Sequence, residues 1–329
     1  MNILVIRTDN IGDLVCTTPL LVALRARYPA AWIGVLTNSY SAPALVGNPS
    51  IDEVVVYQKA KHLDGDDSVL RSYWRRLQTV LALRRRGIDL ALLPAVATQP
   101  SALRFARWIG ARQVVANVDS AYPHEVEKVF ALLARALGGA VDQAIPVCVV
   151  RPDAGRVAKL RKDLGLPEKP GGRLRIGVHI SARKPSQRWP TAAFVEFIKA
   201  QANRREADFL LFWSPGAEDD PRHPGDDRKA AEIIAGTAGL PVYPIPTASL
   251  PELIGGLALC DVVLQSDGGA MHLAAALGKP ILCFFGQSEA SRWHPWGVPY
   301  ELLQPENRDV ASLGVAEVLV AFERLLARL

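Results

Sequence analysis

The sequence predicts an α/β protein built from two successive Rossmann-like domains. Short runs rich in Val, Ile and Leu alternate with longer stretches of helical period, the alternation runs through the chain twice, and a Pro/Gly-rich stretch separates the two rounds. In the first round the expected strands are Ile3 to Arg7, Trp32 to Thr37, Glu53 to Tyr57, Asp89 to Pro94 and Gln113 to Ala116. Helical segments fall between them, near Leu14 to Arg27, Val69 to Arg86, Ser101 to Trp108 and Glu125 to Ala136. Strands that are apolar throughout and interleaved with helices indicate a parallel sheet covered on both faces.

The second round places strands at Arg175 to Ile180, Ala207 to Phe212, Val242 to Ile245, Asp261 to Gln265 and Pro280 to Phe284. Helices are expected near Ala192 to Gln201, Asp227 to Ala235, Leu250 to Ala258 and Ala270 to Leu277. The stretch from Leu164 to Gly172, dense in Pro and Gly, is the linker. The last segment, Val310 to Leu329, reads as a helix with Val315, Val318, Leu319, Phe322 and Leu326 at helical spacing. Domains are therefore expected at 1–165 and 166–309, followed by a helix over 310–329. In open α/β sheets ligands sit beyond the carboxyl ends of the strands, so those ends are where chemistry is sought.

Composition narrows the class. A chain of 329 residues, 49% hydrophobic and 22% charged, is long enough to bury a core in each half. Its four cysteines form no C-x-x-C pair and sit in or beside apolar runs, which argues for reduced, packed thiols. The net charge of +5 suits phosphate-rich partners without choosing among them. The segment Met1 to Asp9 reads as a buried strand and not as a signal peptide, and no apolar run reaches membrane-spanning length. The expected location is the cytoplasm, free or on a membrane surface.

The strand Asp261 to Gln265 runs into Ser266-Asp267-Gly268-Gly269-Ala270-Met271-His272 and then into helix-forming residues. A glycine pair allows close backbone approach, and the helix behind it offers free N–H groups and the positive end of its dipole. Together these can hold a phosphate without a metal. Taken alone, the pair reads at least as well as a tight strand–helix turn. Two further polar loops emerge from strand ends on the same side of the sheet. One is Ser181 to Pro190; the other begins at Phe284-Phe285-Gly286 and runs on to Ser291-Arg292-Trp293-His294-Pro295-Trp296-Gly297.

The order D-G-G-x-x-H-x-A-A-A-L, F-F-G and R-W-x-P-x-G resembles glycosyltransferase family 9, the ADP-heptose:lipopolysaccharide heptosyltransferases. The opening Ile6 to Pro19, with its Gly12-Asp13 pair ahead of the first helix, resembles that family's first motif. The resemblance covers nearly the whole chain with its motifs in order. It implies the GT-B fold, with the two Rossmann-like domains facing each other across a central cleft. The N-terminal domain would hold the acceptor and the C-terminal domain the nucleotide-sugar, and the terminal helix would pack back on the N-terminal domain.

The resemblance implies that Asp13 draws the proton from the acceptor hydroxyl; from its position alone Asp13 reads equally as a helix N-cap. Lys184 and Arg188 are candidates for holding the diphosphate, whose departure concentrates negative charge. The family pattern has a lysine just before the tryptophan that is Trp189 here, whereas this chain has Arg188, and the two are not interchangeable. Arg183 reads as solvated. Glu218 resembles a family glutamate that contacts the donor nucleoside. Asp267, Gly268 and Gly269 form the diphosphate turn, and His272, in the following helical turn, reads either as a donor to phosphate or sugar or as a packing residue.

Asp64-Gly65-Asp66 looks like a metal-binding D-x-D but follows a polar stretch, so no metal is expected. In the basic helix Leu70, Trp74, Leu77 and Leu81 mark the expected buried face. Its arginines read as a solvated face or as a contact for anionic membrane or phosphorylated acceptor. Nucleic acid is not expected, since no recognition module is present.

The function expected is inverting transfer of a heptose or related sugar from an ADP-sugar to a lipopolysaccharide-core or similar glycan, with the ADP-sugar as substrate and no cofactor. The alternatives are a GT-B-like nucleotide-sugar epimerase and a non-catalytic nucleotide-binding module. A Rossmann dehydrogenase is disfavoured because no G-x-G-x-x-G follows the first strand.

Overall fold

A computed structural model describes residues 1–57, 69–95, 100–118, 121–139, 143–167, 173–220 and 224–329. Asp64-Gly65-Asp66 and most of the Pro/Gly-rich linker lie outside the described residues. The chain divides into two compact units, Met1–Arg151 and Pro152–Leu329.

The first unit runs β1 (Asn2–Ile6), α1 (Ile11–Val15), α2 (Thr18–Arg27), β2 (Trp32–Asn38), β3 (Glu53–Tyr57), α3 (Val69–Arg86), β4 (Leu90–Leu93), α4 (Pro100–Trp108), β5 (Gln113–Ala116) and α5 (Glu125–Leu137). Its five strands form one sheet in the order β3-β2-β1-β4-β5, every neighbouring pair parallel. Ile3 to Ile6 are buried on both faces of the sheet, which is why the strand is apolar without alternation. The chain leaves β1 toward β2 on one side and reaches β4 on the other, so the switch point lies between β1 and β4.

The helix expected over Leu14 to Arg27 is two helices. The chain breaks at Cys16 and Thr17, and Pro19 takes a first-turn position in α2, where its missing N–H costs nothing. Thr17 Oγ1 donates to the Asp13 carbonyl at 2.8 Å and Thr18 Oγ1 to Val15 O at 2.7 Å, which satisfies the freed carbonyls at the break.

α3 corrects the expected buried face. Leu83 is buried and Val80 packs with it against the sheet, while Trp74, Leu77 and Leu81 are exposed by 60%, 46% and 39%. The inward side is completed by arginines laid on aromatic rings. Arg76 sits 4.7 Å from the Tyr57 ring centroid and Arg86 4.2 Å from that of Trp32, with Arg86 also paired to Glu53 at 3.2 Å. The long apolar stems and flat guanidinium groups cover the sheet edge that leucines were expected to cover.

The second unit runs α6 (Ala154–Asp163), β6 (Leu174–His179), α7 (Thr191–Arg204), β7 (Ala207–Trp213), α8 (Asp227–Gly236), β8 (Val242–Pro246), α9 (Leu250–Ala258), β9 (Val262–Ser266), α10 (Gly269–Ala276), β10 (Ile281–Phe284), α11 (Ala290–Trp293), β11 (Tyr300–Leu303) and α12 (Val315–Leu326). Six parallel strands are ordered β11-β10-β9-β6-β7-β8, which puts the switch point between β6 and β9. The loops after β6, β7, β9 and β10 therefore leave one edge of one sheet.

The unit boundary falls at 151/152, earlier than the expected 165/166, because α6 packs on α9 and so belongs to the second unit. The apolar face of α12 is buried in its own unit. Val318, Phe322 and Leu325 are fully buried in the core of the second unit, and α12 packs on α7, β10 and β11. Phe322 meets Phe197 edge-on at 5.2 Å, and Glu323 takes Arg205 at 2.5 Å. All four cysteines are buried and unbridged. No described helix is long and apolar enough to cross a membrane.

Candidate active site

In the first unit, the end of β1 and the start of α1 and α5 gather charge at the switch point. Asp13 is the third residue of α1, and its Oδ2 accepts from the backbone N–H of Asn10 at 3.3 Å and from Asn10 Nδ2 at 3.1 Å. Its Oδ1 accepts from Arg7 Nη2 at 2.7 Å. The same Nη2 donates to Glu125 at 2.8 Å, and Arg7 Nε lies 3.0 Å from Asp9. Arg7 and Glu125 are enclosed, with side-chain exposures of 2% and 0%, while Asp13 keeps 15%.

Burial alone would pull the Arg7 pKa down, but Asp13, Asp9 and Glu125 outweigh it and the net shift is upward. One guanidinium thus faces three carboxylates. It is held by the enclosed Glu125 and by Asp9, and the orientation of Asp13 follows from this fixed partner. Asp13 is held at both oxygens yet stays partly exposed, and a carboxylate so placed keeps lone pairs that can take a proton from a bound hydroxyl.

Asp13 stands out in the sequence and its partners do not. Arg7 carried a usable signal, a charge closing a wholly apolar strand. Glu125 carried none, since it lies 118 positions away and reaches Arg7 only through the fold. It is delivered by the first turn of α5, where His124 Nδ1 accepts from Val126 N at 3.1 Å and Glu127 accepts from His124 N at 3.1 Å, a reciprocal cap.

In the second unit, the loop after β6 and the turn after β9 meet across the other switch point. Gln187, 3% exposed, donates from Nε2 to Asp267 Oδ2 at 2.7 Å and to Ser288 Oγ at 2.8 Å. Ser266 Oγ donates to the Gln187 carbonyl at 2.6 Å. Lys184 Nζ donates to the same Ser288 Oγ at 3.2 Å. Gln304 donates to the carbonyls of Gly286 and Ser288 at 2.8 and 2.9 Å, fixing the loop that carries Ser288.

Gly268 has φ +157° and ψ −176°, a conformation that only glycine adopts readily, and a Cβ there would meet no atom within 4 Å. The turn thus opens onto space in front of the N-terminus of α10, where a phosphate would meet backbone N–H groups. Gly286 has the opposite reason for being glycine: a Cβ there would overlap the Ser186 carbonyl, so the F-F-G loop lies directly against the loop after β6.

The predicted residues thus fall into separate groups. Lys184, Asp267, Gly268 and Gly269 come together around Gln187 and Ser288, neither of which the sequence reading named. Arg188 and Glu218 form a second group. Arg188 Nε donates to the Ala182 carbonyl at 3.0 Å and its Nη1 stands 4.0 Å from Glu218, which also binds Arg228. These residues line a cavity of about 270 Å³ with Asp226 and Lys229. Burial lowers the Lys229 pKa to about 8, with the Arg188 charge adding to it and Asp226 opposing. Lys229 donates to the carbonyls of Ile180 at 3.2 Å and Trp189 at 3.0 Å, so it ties α8 to both ends of the loop carrying Lys184 and Arg188.

His272 is buried, 4% exposed, and meets Trp293 edge-on at 5.8 Å. Trp189, next to Arg188, is core: its Nε1 donates to Leu313 O at 3.0 Å and its ring packs on Phe194 and Phe284.

The sequence model of glycosyltransferase family 9 (heptosyltransferase) matches residues 98–314. Lipopolysaccharide heptosyltransferase 2 of Salmonella typhimurium is 26% identical over 307 residues, covering 88% of this chain and 83% of that protein. Among solved structures, a family 9 glycosyl transferase from Veillonella parvula superposes with a TM-score of 0.83 at 17% identity, over 100% of this chain and 97% of that one. The E. coli heptosyltransferase WaaC, solved with ADP, gives 0.76 at 17% identity over 99% and 100%. The fold is GT-B, with two Rossmann-like domains. The family match over most of the chain, together with this fold, shows that the chain belongs to glycosyltransferase family 9 and is a glycosyltransferase.

Proposed function

We propose that this chain transfers a heptose or a closely related sugar from an ADP-sugar to a lipopolysaccharide-core or similar glycan acceptor, with inversion at the anomeric carbon. The observation that carries the reading is the clamp at the β6/β9 switch point, where Gln187 bridges Asp267 and Ser288 beside the open Gly268 turn. That arrangement presents backbone N–H groups and the Lys184 ammonium to one small volume, which suits a diphosphate. The choice of ADP and heptose follows the relatives, one of which was solved with ADP.

In this mechanism the second domain, taken as residues 152–329, binds the donor, and the first, 1–151, binds the acceptor. Asp13 takes the proton as the acceptor hydroxyl attacks the anomeric carbon. The bond to the diphosphate oxygen breaks as the new glycosidic bond forms, and the released ADP keeps the electron pair. Lys184 and the α10 N-terminus offset the charge that builds on the leaving diphosphate. Arg188 and Glu218 border the nucleoside end of the donor, and His272 supports the turn through its packing on Trp293. No metal or cofactor enters the reaction. We place the enzyme on the cytoplasmic side, at the membrane surface.

The test is a panel of nucleotide sugars and free nucleotides, read by the melting temperature of the protein. Binding to the native state raises apparent stability by mass action. ADP and ADP-heptose should raise it and UDP- and GDP-sugars should not; no shift with either adenine nucleotide overturns the proposal.

A further inference from the structure

We infer that the outward face of α3, together with the end of α4, docks on an anionic lipid bilayer. Trp74, Leu77 and Leu81 lie within one narrow arc of α3, opposite the buried Leu83, with the half-buried Val80 at the border between the two faces. All three are exposed although the helix has other residues in the core. At the C-terminal end of α3, Arg84 Nη1 donates to the Trp108 carbonyl at 3.4 Å, which brings the end of α4 alongside. Trp108 is itself 47% exposed. Singly exposed apolar side chains are ordinary; two tryptophans and two leucines grouped on two adjoining helices are not.

Charge selects the occupant. Arg84, Arg85, Arg104 and Arg107 are exposed on these helices, and neither helix contains an aspartate or a glutamate. A helix with Trp and Leu pointing outward between arginines has the composition of a segment lying in the headgroup layer. There the rings enter the acyl boundary and the guanidinium groups reach the lipid phosphates. A second copy of the chain fits poorly, because two such faces would set arginine against arginine. An anionic bilayer satisfies both halves of the surface.

This inference deepens the membrane-side reading above, and its test uses no nucleotide sugar, so the two can fail separately. The full-length protein is sedimented with vesicles of phosphatidylcholine alone and of phosphatidylcholine mixed with phosphatidylglycerol. Binding is expected to the anionic vesicles only, weakening as salt rises. The variant carrying Trp74→Ser, Leu77→Ser and Leu81→Ser should lose at least ~10-fold in partitioning while keeping its melting temperature. Arg84→Gln with Arg85→Gln should lose about five-fold per charge and flatten the salt dependence. A control, Val320→Ser on α12, exposed by 56% in the wild type, should bind as wild type does. Failure of wild type to bind anionic vesicles, or undiminished binding by the triple variant, overturns the inference. So does a wild-type dimer that the triple variant abolishes without any vesicle binding, which would assign the surface to a second copy.

Discussion

Gln187 and Asp267 join the two halves of the second sheet at its switch point. The amide of one donates to the carboxylate of the other at 2.7 Å, across 80 residues of sequence. The loop after β6 and the turn after β9 are thereby fixed in one arrangement at the proposed donor site. Such pre-alignment removes ordering cost from the binding step.

Removing that clamp should loosen the donor site more than the fold. In Gln187→Ala, Asp267 loses its neutral donor and Ser288 one of its two, a loss worth ~1–3 kcal/mol. The donor KM should rise about ten-fold or more with a smaller change in kcat, as steady-state kinetics will show. Gln187→Glu should be worse than alanine, because it sets a second carboxylate against Asp267.

Asp13→Asn should lower transfer by ~10²–10⁴-fold, the range general-base removal costs, with donor binding intact. The two measurements are initial rate and donor-induced thermal shift. Loss of both together would place Asp13 among the structural residues.

Arg7→Met leaves Asp13, Asp9 and the enclosed Glu125 without their shared cation. Breaking a buried ion pair from one side costs about 3–5 kcal/mol, which denaturant unfolding can measure. Arg7→Lys should recover most of the stability but less of the activity, since an ammonium cannot repeat the forked contacts to Asp13, Glu125 and Asp9. Equal recovery of both would show that the guanidinium geometry is not what positions Asp13.

His179 sets an acid limit on stability. Its burial, reinforced by the Lys229 charge, lowers its pKa from 6.5 to about 4. Between those values the unfolded chain binds the proton and the folded chain does not, so stability is full above about pH 6.5 and declines as the pH falls toward 4. The decline from this group amounts to at most ~3 kcal/mol. Urea unfolding at pH 7 and pH 4.5 should show a smaller difference for His179→Asn than for wild type.

The strands were legible because burial on both faces writes them as unbroken apolar runs; β2 and β7 begin at the expected residues, Trp32 and Ala207. β11 was missed because Tyr300-Glu301-Leu302-Leu303 is short, and only its last residue is fully buried. α6 was missed because it buries no residue completely, so it shows no apolar period. α3 misled in the other direction: its apolar period is real but faces outward, and no single-sequence rule reports which side of a helix the protein covers. At the candidate site of each unit, motif residues were visible from local pattern: Asp13 in the first, Asp267 and Gly268 in the second. Gln187, Ser288 and Glu125 act through contacts 80 to 118 positions apart, which only the fold creates.

Sugar transfer from an ADP-sugar with Asp13 as base is tested by ADP release from ADP-heptose by wild type and Asp13→Ala, each with and without a heptose-accepting lipopolysaccharide-core oligosaccharide. Wild type should release ADP only when acceptor is present, with a β-configured donor giving an α-linked product, and Asp13→Ala should release almost none. Undiminished release by Asp13→Ala, an epimerised donor without acceptor, or ADP binding with no turnover under any condition would contradict it.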